Sequence, residues 1–188
     1  MKGTRTFGLW QVIWILCPLI VLFAGKAGFS AEDTLSQELP SPKVENMVFY
    51  LQRDPDANTV VYQLNFEKDG ALQRDNPVKG SWIRYSEKGQ LKELNPIEKR
   101  LAYGLQSKYL GNDTFELKFV SYKKTSLYLM KDAARQYRVF TSPDKTEVLK
   151  RVFVKVNGGS FLAPNVEYLE LFCTDLATGK EIVKKIKV

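Results

Sequence analysis

Two stretches place a lysine three residues after a serine: Ser121-Tyr122-Lys123-Lys124 and Ser142-Pro143-Asp144-Lys145. In penicillin-binding enzymes a helical turn folds such a lysine back onto a nucleophilic serine. Here the first pair closes a strand-like stretch and the second sits in a proline turn. The companion Ser-Asp-Asn and Lys-Thr-Gly triplets are absent, so both pairs read as chance matches. Carboxylates are the next groups able to do acid–base work. Asp54 with Asp56, and Glu167 with Glu170, are close in sequence. Glycoside hydrolysis needs two carboxyls across one bond, one of them with a raised pKa. Neighbours on a turn do not supply that, and Asp54 and Asp56 bracket Pro55 as turn residues do. The chain contains no histidine. This excludes Ser-His-Asp and Cys-His catalysis and every metal site that needs imidazole. Its 2 cysteines cannot build a zinc site or a disulfide framework. No metal and no cofactor is expected. Asn157-Gly158-Gly159 reads as a turn rather than a phosphate loop, because no lysine-bearing helix follows. Asn112-Asp113-Thr114 is a formal glycosylation sequon.

What remains is binding chemistry. Basic and aromatic residues interleave at Trp82, Arg84 and Tyr85, at Arg100 and Tyr103, and at Lys118, Tyr122, Lys123 and Lys124. Arg151, Phe153 and Lys155 alternate along one strand face. Such faces suit anionic glycans, lipid headgroups or single-stranded nucleic acid. They also suit a solvated sheet whose lysines discourage edge pairing. The candidate ligand-binding set is Arg53, Trp82, Arg84, Tyr85, Arg100 and Tyr103. Trp82 is expected to anchor the core with part of its ring exposed. Arg53, Arg84 and Arg100 can organise loops, or present a fork to an anion.

These residues need a frame. The chain has 188 residues, 44% hydrophobic, enough for one folded domain plus a tail. Residues 1–31 hold no acidic residue. Lys2 and Arg5 form a short basic start, an apolar run spans Leu9 to Gly25, and small residues follow to Ala31. This is the layout of a secretory signal peptide, cleaved after Ala27 or Ser30; the alternative is an uncleaved anchor. Export to the periplasm or beyond is therefore expected, with membrane contact only if residues 9–25 are retained. Three of the 28 basic residues lie in this segment, which leaves 25 against 21 acidic residues and a net charge of +4. That is too modest to demand a polyanion, and with export expected, no nucleic-acid partner is expected. Cys173 and Trp82 become the only cysteine and tryptophan of the remainder. A lone thiol of this kind is expected to be buried and structural.

Residues 31–45 are polar, with Pro40 and Pro42, and read as a linker. From Asn46 onward, strand-like segments recur between turns at the rhythm of an all-β sandwich or barrel. The expectation is an antiparallel β-sandwich, with a barrel possible, of about eight to ten strands within 46–188. Met47–Gln52, Tyr62–Phe66, Val78–Ser86, Ser126–Met130, Tyr137–Thr141 and Val148–Val156 are candidate strands. Phe115, Leu117 and Phe119 alternate with Glu116 and Lys118, the clearest half-buried strand. Glu167–Cys173 and Glu181–Val188 suggest a terminal hairpin. Near 95–102 the pattern changes to one short helix: Asn95 as N-cap, Pro96 at the first position, Glu98 as the capping-box acid, and Gly104 as terminator. Ile97 and Leu101 share a face of that helix.

The pieces Phe49-Tyr50-Leu51-Gln52-Arg53, Asn58-Thr59-Val60-Val61-Tyr62, Asn76-Pro77 and Trp82-Ile83-Arg84-Tyr85 occur in this order. Glu98-Lys99-Arg100-Leu101-Ala102-Tyr103-Gly104 and Pro164-Asn165-Val166-Glu167-Tyr168-Leu169-Glu170-Leu171-Phe172 follow them. The ordered set resembles an uncharacterised family, domain of unknown function 4833, from Val48 to Val188. Ser81 stands where the family often has an aromatic residue. The resemblance implies a single compact domain, often exported in bacteria, and implies no activity, substrate or catalytic residue.

The functional expectation is a non-enzymatic module that binds a ligand or protein partner at the cell envelope. The alternatives are a carboxylate-dependent hydrolase acting on envelope polymers, and a membrane-tethered structural module.

Overall fold

The computed structural model describes residues 41–53, 59–85, 88–160 and 164–188. The signal segment, residues 31–40 of the linker and the Asp54-to-Asn58 turn lie outside them. Strand-forming alternation gives β1 (Met47–Arg53), β2 (Thr59–Leu64), β3 (Val78–Arg84) and β4 (Gln90–Glu93). The helix α1 (Pro96–Leu101) follows, then β5 (Leu105–Gly111), β6 (Thr114–Phe119), β7 (Tyr122–Lys131) and β8 (Tyr137–Phe140). The last three strands are β9 (Glu147–Gly159), β10 (Pro164–Asp175) and β11 (Glu181–Lys187). The fold is all-β and sandwich- or barrel-like, with one short helix. It has eleven described strands rather than eight to ten, joined in a single curled sheet.

The path runs β4-β3-β2-β1-β9-β8-β7-β6-β5, with β10 on the other edge of β9 and β11 beyond it. The long strand β9 is the hinge of this arrangement. Its early residues pair with β8 through Val148, and its middle residues 151–154 pair with β1 along the same edge. The β1–β9 pairing is parallel, which corrects the expectation of a purely antiparallel sheet. Parallel pairing demands a long crossover. Here everything from β2 to β8 supplies it. Asn157-Gly158-Gly159 is the end of β9 rather than a free turn, and both glycines have positive φ.

The curl brings β5–β8 over the inner face of β1, β2, β9 and β10. The main core collects Phe49, Leu51, Val60, Tyr62, Leu117, Leu127, Leu129, Val152, Leu171 and Cys173, among others. Phe49 stacks on Tyr62 with centroids 4.4 Å apart, and Phe119 meets both rings edge-on at 6.2 and 5.8 Å. Offset and edge-on rings of this kind add to burial alone. The β6 residues Phe115, Leu117 and Phe119 are buried and their neighbours are not, as the alternation required. Glu167–Cys173 falls within β10, which pairs antiparallel with β11 from Thr174↔Glu181 to Tyr168↔Lys187.

The helix follows its sequence signals closely. The Asn95 side chain accepts from the Ile97 and Glu98 amides at 2.9 Å each, and Glu98 accepts from the Asn95 amide at 2.8 Å. That is the reciprocal capping box. Its apolar pair stays partly open: Ile97 is 53% exposed and Leu101 48% exposed, and none of the helix residues is buried.

Candidate functional site

Where the sheet curls, the two layers part at one end and leave an apolar cleft of about 120 Å3. Its floor is Leu51, Phe119, Leu127, Val152 and Leu171, which belong to the main core or pack in it. Its walls are Val154, Leu169 and Ile186 on one side, and Leu101, Ala102 and Tyr103 at the end of α1 on the other. Pro164, Val166 and Val188 reach the rim, as do Ser121, Tyr122 and Thr125 from the β6–β7 turn. A mostly apolar concavity with a few polar groups is the usual form of a small-molecule site.

Arg53 supplies the charge. It is the only charged side chain among the described residues of the lining. The parallel register sets it beside Val154, which faces Leu169, which in turn faces Ile186. Side chains across neighbouring strands at one level share a face. Arg53 therefore stands in a row of aliphatic residues, one step above the Leu51–Val152–Leu171 floor. Its Nε is shielded from solvent.

Tyr103 ties the cleft to the rest of the candidate set. Its ring lines the cleft and meets Trp82 at 4.8 Å, edge to face. Its carbonyl accepts a 2.8 Å hydrogen bond from the buried Tyr62 hydroxyl. Burial first, and then the neighbouring Tyr103, push the Tyr62 phenol well above its ordinary pKa, so it stays a neutral donor. Trp82 is half-buried against the main core, as expected of an anchor. Arg84 is half-buried, two residues along β3 and on the same face as Trp82.

Tyr85 is on the reverse side. Its hydroxyl donates to Thr59 Oγ1 at 3.4 Å, and Thr59 also accepts from Gln52 Nε2 at 3.3 Å. Arg151 Nη1 reaches Gln52 Oε1 at 3.5 Å, and its guanidinium lies 3.6 Å from the Phe172 centroid. This buried polar network is structural, and sequence reasoning missed it. Arg151 reads as a surface cation on an alternating strand, and only its place under neighbouring strands changes that. Arg100 is exposed on α1. The candidate residues thus divide: Arg53 and Tyr103 line the cleft, Trp82 backs Tyr103, and Tyr85 faces away.

The other chemical candidates are occupied. Ser121 Oγ donates to the Ala102 carbonyl at 2.6 Å, and Ser142 Oγ donates to Asp144. Lys145 donates to the Lys131 carbonyl at 2.8 Å. The carboxyls of Glu93, Glu116, Asp132, Asp144, Glu147 and Asp175 are all held below their usual range by hydrogen bonds. A general acid needs the opposite shift. Among the described residues no group of three or more His, Cys, Asp or Glu is placed to hold a metal ion. Cys173 is buried in the core, and burial pushes its thiol up to about 11.

Fold and cleft together define an all-β sandwich-like domain that opens at one end onto an apolar site. Residues 49–185 match the family model described as Domain of unknown function (DUF4833), and the chain belongs to that family. No curated protein and no solved structure matches the chain.

Proposed function

We propose that this protein is a non-enzymatic binding module of the cell envelope, with a small ligand held in the cleft beside Arg53. The observation that carries the reading is the cleft itself. Its described lining is mostly aliphatic and aromatic, with the side chains of Arg53, Ser121 and Thr125 among them. No carboxylate side chain is found in its described lining, so a two-carboxyl hydrolase has no acid pair there. The envelope location rests on the basic start, apolar run and small residues of 1–31.

The test of the site is the emission of Nile red, a neutral apolar dye, with the full chain as recovered from expressing cells. Val166→Trp fills the rim of the cleft. The wild-type protein should enhance the dye's emission severalfold more than this variant, with both showing the same strand-rich circular dichroism. Equal emission from the two would remove the cleft as the site. Mass spectrometry of the same material tests export, since an intact N-terminus through Ala31 contradicts cleavage.

A further inference from the structure

We infer that two copies of this chain join edge to edge through β11, pairing antiparallel about Lys184 across a two-fold axis. The inference goes beyond the cleft and does not depend on it. The first ground is an open edge. Among the described residues β11 pairs with β10 alone, so its other side ends the sheet. Val183 is 51% exposed there, and Glu181, Lys184, Lys185 and Lys187 are exposed with it. The ladder also fixes which backbone groups point outward. The Val188 amide donates to the Glu167 carbonyl at 3.5 Å, and the Lys180 carbonyl accepts from the Asp175 amide at 2.9 Å. Antiparallel residues alternate in the direction of these groups, so the even-numbered residues of β11 turn theirs to β10. Glu181, Val183, Lys185 and Lys187 turn theirs away from it. Such a row is a template for a further strand.

The second ground is self-complementarity. With the axis at Lys184, Val183 faces the second copy's Lys185 and Glu181 faces its Lys187. These are the residues with outward groups, so each pair exchanges two backbone hydrogen bonds. Between them, Ile182 faces the second copy's Ile186. Apolar thus meets apolar and acid meets base across the strand. An axis one residue to either side sets an isoleucine against Lys184 and loses that match. The other sheet edges lack it. β4 has only 4 residues, and β5 reversed on itself sets Leu105 against Gly111 and Gln106 against Leu110.

The third ground is charge. Lysines usually blunt a sheet edge. Here the Lys184 ammonium is ion-paired with Glu147. That of Lys185 lies 4.0 Å from the Glu170 carboxylate and 3.5 Å from the Tyr168 ring centroid. The axis therefore brings two ion pairs together rather than two bare cations, and Glu181 and Lys187 pair across the copies twice per dimer. Ile186 lines the cleft, so the two clefts come to lie on one face of a continuous sheet, either side of the axis.

Sedimentation velocity of the full chain, as recovered from expressing cells, reads the mass over a concentration series. The expected result is a monomer–dimer equilibrium in the micromolar range, since one shared strand edge is a small interface. Val183→Pro removes an outward amide and none that serves β10, and should be monomeric with unchanged circular dichroism. Glu181→Lys and Lys187→Glu each make both cross-copy pairs repulsive and should weaken the dimer about tenfold or more. Mixed in equal amounts, these two variants should associate again, because each reversed charge then meets its opposite. Both changes are on exposed residues, so they report on the interface even if the proline variant does not fold. A wild-type protein that stays monomeric at about 100 μM overturns the inference. So does a folded Val183→Pro that still dimerises, a dimer indifferent to the charge reversals, or a mixture of the two that does not associate. None of these results bears on the dye test of the cleft.

Discussion

Replacing Gly104 by alanine should cost more than replacing glycines whose backbone looks far more demanding. A Cβ built on Gly104 lies 1.8 Å from the Lys99 carbonyl oxygen, 2.7 Å from its carbon and 3.1 Å from its Cα. Ordinary contact begins at 3.4 Å, so that oxygen must retreat by about 1.6 Å. The residue itself is pinned. Its carbonyl accepts from the Val120 amide at 3.0 Å. The preceding Tyr103 is held by its ring contact with Trp82 and by the Tyr62 hydroxyl. The helix is the weaker partner, because none of its residues is buried. The last turn of α1 should therefore give way, together with the Ala102 and Tyr103 amide bonds to the Glu98 carbonyl at 3.1 and 2.9 Å.

Overpacking with backbone displacement costs roughly 1–3 kcal/mol, and the loss of helix-end bonds places this case near the top, at about 2–3 kcal/mol. Gly70 and Gly111 are the controls. Their φ values are +85° and +98°, with nothing within 4 Å of an added Cβ. Alanine there carries only local strain, about 1–2 kcal/mol. Urea unfolding followed by circular dichroism ranks the three variants. Nile red emission should also fall in Gly104→Ala, since Leu101 and Ala102 line the cleft. A cost below about 0.5 kcal/mol, or below that of Gly111→Ala, would refute the claim that close approach rather than φ requires glycine at 104.

Tyr62→Phe removes the 2.8 Å bond to the Tyr103 carbonyl and should lower stability by about 1–2 kcal/mol in urea. The folded-state phenol is raised, so its contribution is intact at neutral pH and is lost as pH climbs past about 10. The variant should accordingly be less sensitive to base. Glu147 is lowered by its hydrogen bond and ion pair with Lys184, and by a 2.7 Å bond from Thr141. A depressed carboxyl stabilises above its ordinary pKa near 4.3, and that share is lost as pH falls through its lowered value. Lys184→Met should be less stable than wild type at pH 7 by under about 1 kcal/mol, given how exposed the lysine is. The gap should close in acid; a gap of equal size at pH 2 and pH 7 would assign the loss to packing instead.

Local chemistry made part of this molecule legible. The capping box at Asn95 and Glu98 and the alternation in β6 are determined within six residues, and both appear as read. β4 and β5 were not foreseen. All four residues of Gln90–Glu93 are exposed, and Leu105–Gly111 has no buried residue. Such strands are held by backbone pairing to a neighbour, which leaves no apolar alternation to read. The apolar pair Ile97 and Leu101 shares a helix face, as its spacing requires, but spacing does not say whether the face is covered. A helix buries a face only if another element arrives to cover it.

The cleft shows the same limit more sharply. Val154, Leu169 and Ile186 have the residue types of any core strand. Whether such side chains meet an opposite layer or a gap depends on how far the sheet curls, which no single segment encodes. Arg53 was visible as a cation following an apolar strand, but its place in the wall depends on the parallel register of β1 on β9. In that register Arg53 faces the row of Val154, and Gln52 joins Arg151 on the reverse side. A slip of one residue would exchange them, because strand side chains alternate faces. The cleft would then be lined by a neutral amide, and a guanidinium would be driven into the reverse network beside Arg151. Like charges buried at that distance repel strongly. The reverse-face network of Gln52, Thr59 and Arg151 therefore does more than fill space. It penalises the slipped register, and in doing so it keeps Arg53 on the cleft side of the sheet.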